Sequence, residues 1–242
     1  MKLKHYIYIL LVFVVITTSG FAVFVIQNKP EKKREEPIKP QTQIIETKKE
    51  VIEKSPIKEQ AQLNVPYTVQ APLVNWNIHE ESCEEAALLM VHYYLLGNQT
   101  DVIEPSTANQ ELINMVTWEK NNYGQEKDLN MYEVGKLATD YYEYRYKVSE
   151  DVTVDDIKQA VSDGNPVLVP VITHALGNPY YGPSPSYHIL VIKGYNQGGI
   201  ISNDAGVKEG KDYYYTWDVL WRAIDAQSTQ MNQGRDMLVV TK

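Results

Sequence analysis

Apolar positions are spread unevenly along the 242 residues. Residues 6–26, from Tyr6 to Ile26, form an almost unbroken apolar run without a charge, and residues 27–62 are dominated by Lys, Glu, Pro and Gln. Only from Leu63 onward do apolar and polar positions recur with the periods of folded elements. The first run is long enough to cross a bilayer and follows Lys2 and Lys4. It predicts a cytoplasmic N-terminus at 1–5, a transmembrane signal anchor at 6–26, a flexible linker at 27–62 and one extracytoplasmic domain at 63–242. Secretion after signal cleavage is the alternative, suggested by the small residues Thr18-Ser19-Gly20.

Within the domain, Ala86 to Leu96 is apolar on nearly every face except at His92, the pattern of a helix surrounded by protein, with Gly97 as its stop. Ser82 followed by Glu85 has the form of a capping box, which makes Ser82 the N-cap and Cys83 the first helical residue. Three- and four-residue spacing predicts helices at Ala108 to Lys120 and Asn130 to Tyr142. Another is expected from Thr153, as N-cap, to Ser162. The period then changes. Strands are expected at Val167 to Ile172, Tyr187 to Tyr195, Gly199 to Asn203, Asp212 to Thr216 and Met237 to Thr241, with a helix at Trp217 to Ile224. Helices first and strands afterwards argue for an α+β domain with a mainly antiparallel sheet.

Charge narrows the partners. Residues 1–60 carry 11 Lys/Arg against 7 Asp/Glu, and residues 61–242 carry 12 against 24. A domain that acidic is a poor match for nucleic acid or anionic lipid. Cys83 is the single cysteine, so no internal disulfide can form, and a free thiol in an oxidising compartment needs a reason.

Two readings of Cys83 remain open on the residues alone. A free cysteine commonly serves as a small buried hydrophobe. At the first turn of a helix, however, unpaired backbone N–H groups and the helix dipole favour thiolate, while Glu84 and Glu85 oppose it. A cysteine nucleophile needs a base. Of His5, His79, His92, His174 and His188, the last sits at the mouth of an apolar strand behind the loop Gly182-Pro183-Ser184-Pro185-Ser186. Asp204 ends the next strand and can hold the imidazole tautomer, or else form an Asx turn with Gly206. Counting sets a condition: with a four-residue turn at Asn196 to Gly199, Tyr195 pairs with Ile200 and the two side chains fall on opposite faces. They meet only if the turn has an odd number of residues, if Gly198-Gly199 forms a bulge, or if Asp204 lies just beyond the strand. Gln70 supplies an amide donor that, with the Cys83 N–H, can receive an oxyanion. A metal site at Cys83, His79, His174 or His188 lacks any CxxC or HxxxH spacing, so neither metal nor cofactor is expected.

The order Gln70, Cys83 on a helix, His188 on a strand and Asp204 resembles papain-like cysteine peptidases. Val65-Pro66-Tyr67-Thr68-Val69-Gln70-Ala71-Pro72, Trp76, Cys83-Glu84-Glu85-Ala86, Gly164-Asn165-Pro166-Val167, Tyr187 to Tyr195 and Asn203-Asp204-Ala205-Gly206 are together similar to the bacterial C39-like peptidase family. The resemblance implies a papain-like fold, with the Cys83 helix against a twisted antiparallel sheet. It also implies a catalytic set of Cys83, His188, Asp204 and Gln70, with Trp76, Glu84 and Tyr187 as candidate substrate contacts. The expected partner is a peptide or protein, with cell-wall peptide suggested by location. The other reading is an inactive papain-like module that binds peptide or cell-envelope glycan. Glu84-Glu85 stands where many relatives have Gly-Pro. Without an ATPase domain or a bundle of membrane helices, the leader-peptide processing of exporter-linked members does not carry over.

Overall fold

The computed structural model describes residues 55–124, 128–231 and 234–242. The expected anchor at 6–26 and most of the expected linker lie outside them. No helix among the described residues is long and apolar enough to cross a membrane.

The described chain runs β1 (Ala61–Gln62), α1 (Trp76–His79), α2 (Cys83–Leu95), α3 (Pro105–Tyr123), α4 (Met131–Tyr142), β2 (Arg145–Ser149) and α5 (Val154–Ser162). It continues through β3 (Val167–Ile172), α6 (Thr173–Leu176), β4 (Tyr187–Tyr195), β5 (Gly199–Asp204), β6 (Tyr213–Thr216), α7 (Trp217–Met231) and β7 (Met237–Thr241). One antiparallel sheet has the order β2-β7-β3-β4-β5-β6, with β1 added to β4. The α+β expectation is met, with helices on both faces of the sheet. On one, α2 and α4 pack over Leu168, Ile189, Val191, Leu238 and Val240, and α3 packs against those two helices. On the other, α5 and α7 pack over Val167, Val169, Leu190, Ile192 and Ile200. Burial on both sides explains why β3 reads as a continuous apolar run rather than an alternating one.

Helix α2 is the centre of the first layer. Leu89 and Met90 have no exposed surface, and its sequence is apolar all round because neighbours surround it. It ends as Gly97 takes φ 76° and donates to Tyr94 O, while Asn98 N–H reaches Tyr93 O, a Schellman closure.

Four elements escape the sequence pattern: β1, α1, β2 and α6. β2 is a largely exposed edge strand without inward alternation, and α1 and α6 are single turns of four residues. Residues 55–62, read as the end of the linker, are fastened to the domain. Lys58 N–H donates to Ser162 Oγ (3.2 Å), Tyr195 OH donates to Lys58 O (2.7 Å), and Ala61 and Gln62 pair with Tyr195 and Gly194.

The register of β4 and β5 positions the site. Tyr195 faces Ile200 and Gly194 faces Ile201, but Ile192 faces Ser202, so Lys193 is an extra residue in β4. Of the ways to bring the His188 and Asp204 side chains together, the fold uses a bulge, at Lys193 rather than at Gly198-Gly199. Long-range contacts select that place: Lys193 Nζ donates to Val65 O (3.0 Å) and pairs with Asp212 (2.9 Å). Gly194 lets β1 come close, since a Cβ there would lie 2.9 Å from Ala61 O. Beyond the bulge Leu190 faces Asp204, which brings Asp204 onto the same face as His188.

Candidate active site

Cys83 is the first residue of α2, as expected, but the capping box is absent. Ser82 occupies the N-cap position without capping through its side chain. Its hydroxyl lies 3.2 Å from Nδ1 of the wholly buried His79, whose Nε2 is 3.1 Å from Asn109 Oδ1. Glu85 is turned into the core and hydrogen-bonded to Glu119 of α3. Both groups that would have formed the box are claimed by other side chains, Ser82 locally and Glu85 across to α3.

Gln70 braces the same loop. Its backbone N–H donates to Ala205 O (2.9 Å), and its Nε2 donates to His79 O and Glu80 O, each at 3.0 Å. Backbone and side chain of Gln70 together join the segment entering α2 to the residue after Asp204. An oxyanion role requires one of these two bonds to yield to substrate.

The Cys83 thiol is nearly buried, with its Sγ 3.0 Å from Glu84 Oε2. Burial, followed by the neighbouring Glu84 carboxyl, pushes it well above the usual thiol range, and the Ile189 backbone N–H offsets this only in part. The sequence set the helix dipole against two acidic neighbours; in the folded protein desolvation and Glu84 prevail, so the resting group is a thiol. The Ile189 amide is available because β5 pairing with β4 ends at Leu190 and Asp204. That places the sulfur beside the residue that follows His188.

At the end of β5 the opposite balance holds. Asp204 is wholly buried, yet Oδ1 accepts from His188 Nε2 (2.9 Å), Tyr181 OH (2.5 Å) and Gly206 N–H (3.1 Å), and Oδ2 accepts from Tyr215 OH (2.7 Å). Burial raises its pKa, but His188 and the two tyrosines outweigh burial and leave it below the ordinary carboxylate value. The Asx turn and the histidine contact, read as alternatives in the sequence, coexist on one carboxylate. Because Nε2 meets Asp204, Nδ1 is the nitrogen left to exchange a proton with another group. Behind the carboxylate, Gly210 approaches so closely that a Cβ would lie 1.8 Å from Asp204 O; Asp204 N–H donates to Gly210 O.

A cleft of about 550 Å³ runs over these groups, with Gln70, Trp76, Cys83, Tyr187 and His188 on its walls. Asp204 sits behind His188. Glu84, a candidate substrate contact, is absent from the walls: it is wholly buried, and its Oε1 accepts from Leu129 N–H at 2.8 Å. Tyr187, also on the wall, donates to Leu129 O (2.7 Å). Among the described residues no three His, Cys, Asp or Glu side chains form a group that could hold a metal ion. Tyr181 and Tyr215 went unnoticed in the sequence. The alternation of Tyr213-Tyr214-Tyr215 along β6 turns Tyr215 inward, but nothing local marks its partner.

A buried thiol at a helix start, sharing a cleft with an imidazole fixed by a carboxylate across an antiparallel sheet, is the arrangement of a papain-like thiol hydrolase. Residues 62–230 match the Peptidase_C39 like family, and the chain belongs to that family of cysteine peptidases. Among solved structures, a Bacillus anthracis protein assigned as a C39-like peptidase is similar, with 16% identity, 76% of this chain and 98% of that chain covered, and a TM-score of 0.51. Xylellain, a cysteine protease from Xylella fastidiosa, shares 10% identity over 77% of this chain and 87% of its own, with a TM-score of 0.49. No curated protein matches the sequence.

Proposed function

We propose that the protein is a membrane-anchored, extracytoplasmic cysteine peptidase that works through a Cys83–His188–Asp204 triad. The observation that carries this reading is the 2.9 Å contact between His188 Nε2 and a buried, hydrogen-bonded Asp204, on the cleft that also holds Cys83. His188 Nδ1 takes the Cys83 proton as the sulfur attacks the scissile carbonyl carbon. The Cys83 N–H and Gln70 Nε2 receive the oxyanion, Gln70 exchanging one of its carbonyl bonds for the substrate oxygen. Collapse of the tetrahedral intermediate breaks the C–N bond, and His188 returns the proton to the leaving amine. Water then hydrolyses the thioester with His188 as base.

Membrane attachment is supported by the apolar run at 6–26 and the Lys/Glu/Pro-rich segment after it. Cell-wall peptide is the proposed substrate. Glu80, Glu81 and Asp128 on the cleft walls favour a substrate bearing an ammonium group, which a diamino acid in such a peptide provides. Comparison of the full-length protein with its Cys83→Ala variant, on cell-wall peptides and on unrelated peptides, tests the reading. The expected result is cleavage of the amine-bearing peptide and loss of at least about 10⁴-fold in the variant. Undiminished cleavage by Cys83→Ala contradicts the triad, and equal rates on all peptides contradict the substrate assignment.

A further inference from the structure

Glu84 is a buried carboxyl that touches the sulfur and has no place in the triad. Its Oε1 accepts from the Leu129 amide at 2.8 Å and its Oε2 lies 3.0 Å from Cys83 Sγ. It has no exposed surface, and no described cation pairs with it. A carboxylate so placed is costly, and a carboxyl without a cation relieves the cost by keeping its proton. Because Oε1 is occupied as an acceptor, the proton of the neutral acid belongs on Oε2, facing the sulfur.

We propose that Glu84 is a catalytic residue in its neutral form, donating Oε2–H to Cys83 Sγ and stabilising the thiolate as the thiol proton leaves for His188. This rests on the assignment of Cys83 and His188 as nucleophile and base. The same contact works in reverse once Glu84 ionises. The thiol then donates to Oε2, turned away from His188, and the adjacent negative charge opposes a thiolate. One hydrogen bond thus favours or hinders the nucleophile according to where its proton sits.

The surroundings keep Glu84 protonated over the neutral range. Burial, well ahead of the countervailing Cys83 and Leu129 hydrogen bonds, raises its pKa to about 8. The groups facing it divide: hydrogen bonds from Cys83 and the Leu129 amide lower its pKa, and Asp128 raises it. On α2 these are Cys83 and Glu85; Glu85 is itself pushed upward by burial and by Glu119 of α3. From the segment before α4 comes Asp128, which also raises it. From the sheet, Ile189 contributes its backbone amide to the sulfur, and His188 stands next to it.

Peptide hydrolysis by the full chain, measured from about pH 5 to about pH 10, tests this against Glu84→Gln and Glu84→Ala. The Leu129 amide orients the glutamine, leaving its NH₂ toward Sγ as a donor that cannot ionise. The wild type should lose activity as pH rises through about 8, Glu84→Gln should hold its activity there, and Glu84→Ala should be about tenfold or more slower than wild type near neutral pH. A Glu84→Gln profile with the wild-type alkaline fall, or a Glu84→Ala protein as active as wild type near neutral pH, overturns the role. Should the glutamine variant fail to fold, the wild type carries the test through temperature. A carboxyl ionises with little heat, so its alkaline limb stays in place on warming, whereas a limb that moves down as an imidazole's does overturns the proposal. Failure of the triad reading is separate, because it shows as undiminished hydrolysis by Cys83→Ala.

Discussion

Two carboxyls are buried at the site, one against the imidazole and one against the thiol, and the fold treats them in opposite ways. Asp204, at the end of β5, is met by an imidazole, two phenols and a backbone amide, and is held ionised. Glu84, at the start of α2, is met by one amide and a thiol, and is held toward its neutral form. Burial is complete for both, so depth does not decide the charge. The number and kind of donors do, and these come from β4, β6 and the adjoining loops in one case and from the first residue of α2 and the segment before α4 in the other.

The largest effect that could break this comparison is removal of the ionised member. Asp204→Ala should lower kcat/KM by about 10² to 10⁴-fold, as the His188 tautomer and its developing charge lose their partner. A loss below tenfold would mean that Asp204 only supports the fold. Gln70→Ala comes next, with an expected loss of about 10²-fold in kcat. Lower stability with unchanged kcat would instead leave Gln70 as a brace between Ala205 and the His79-Glu80 segment.

Stability against pH sharpens the contrast, because the two groups have opposite signs. Asp204, with its folded pKa below 3.8, contributes stability that is present above that value and lost as pH falls through the lower folded value. Glu84, with its folded pKa raised from 4.5 to about 8, contributes stability that is full below 4.5 and lost as pH rises toward 8. Denaturant midpoints should therefore be highest near pH 5 and decline toward pH 8, by up to about 1.4 kcal/mol per pH unit for each such group. Glu84→Gln should flatten the decline; an unchanged slope would contradict a neutral buried Glu84. The smallest effect is expected from Tyr215→Phe, which removes one of the Asp204 donors and should cost about 1.5–3 kcal/mol in denaturant melts.

Much of the frame was legible because it rests on local periods. β3, β4 and β7 have the expected limits, and α2 begins at Cys83. That a regular pairing through a four-residue turn keeps His188 and Asp204 on opposite faces followed from counting alone, with a bulge as one of three ways to bring them together. Its position did not follow, because Lys193 is drawn out by Val65 and Asp212, far away in sequence. The capping box never forms because Ser82 and Glu85, though rightly spaced, are taken up by His79 in the preceding turn and by Glu119 of α3. Tyr181 and Tyr215 were two among 18 tyrosines, and only the convergence of a loop and β6 on Asp204 singles them out. Glu84 was misread for a related reason. A charge beside a nucleophile suggests a solvent-facing contact, whereas helix phase and Leu129 turn it inward.

The central claim is that Cys83 is a nucleophile activated by His188 rather than a buried packing residue. Intact-mass measurement of the full-length protein after timed exposure to a peptide-derived electrophile tests it most directly, with His188→Ala run in parallel. The account predicts a single adduct on Cys83, formed about 10² to 10⁴-fold more slowly in the variant. Labelling of Cys83 at the same slow rate in both proteins would contradict it.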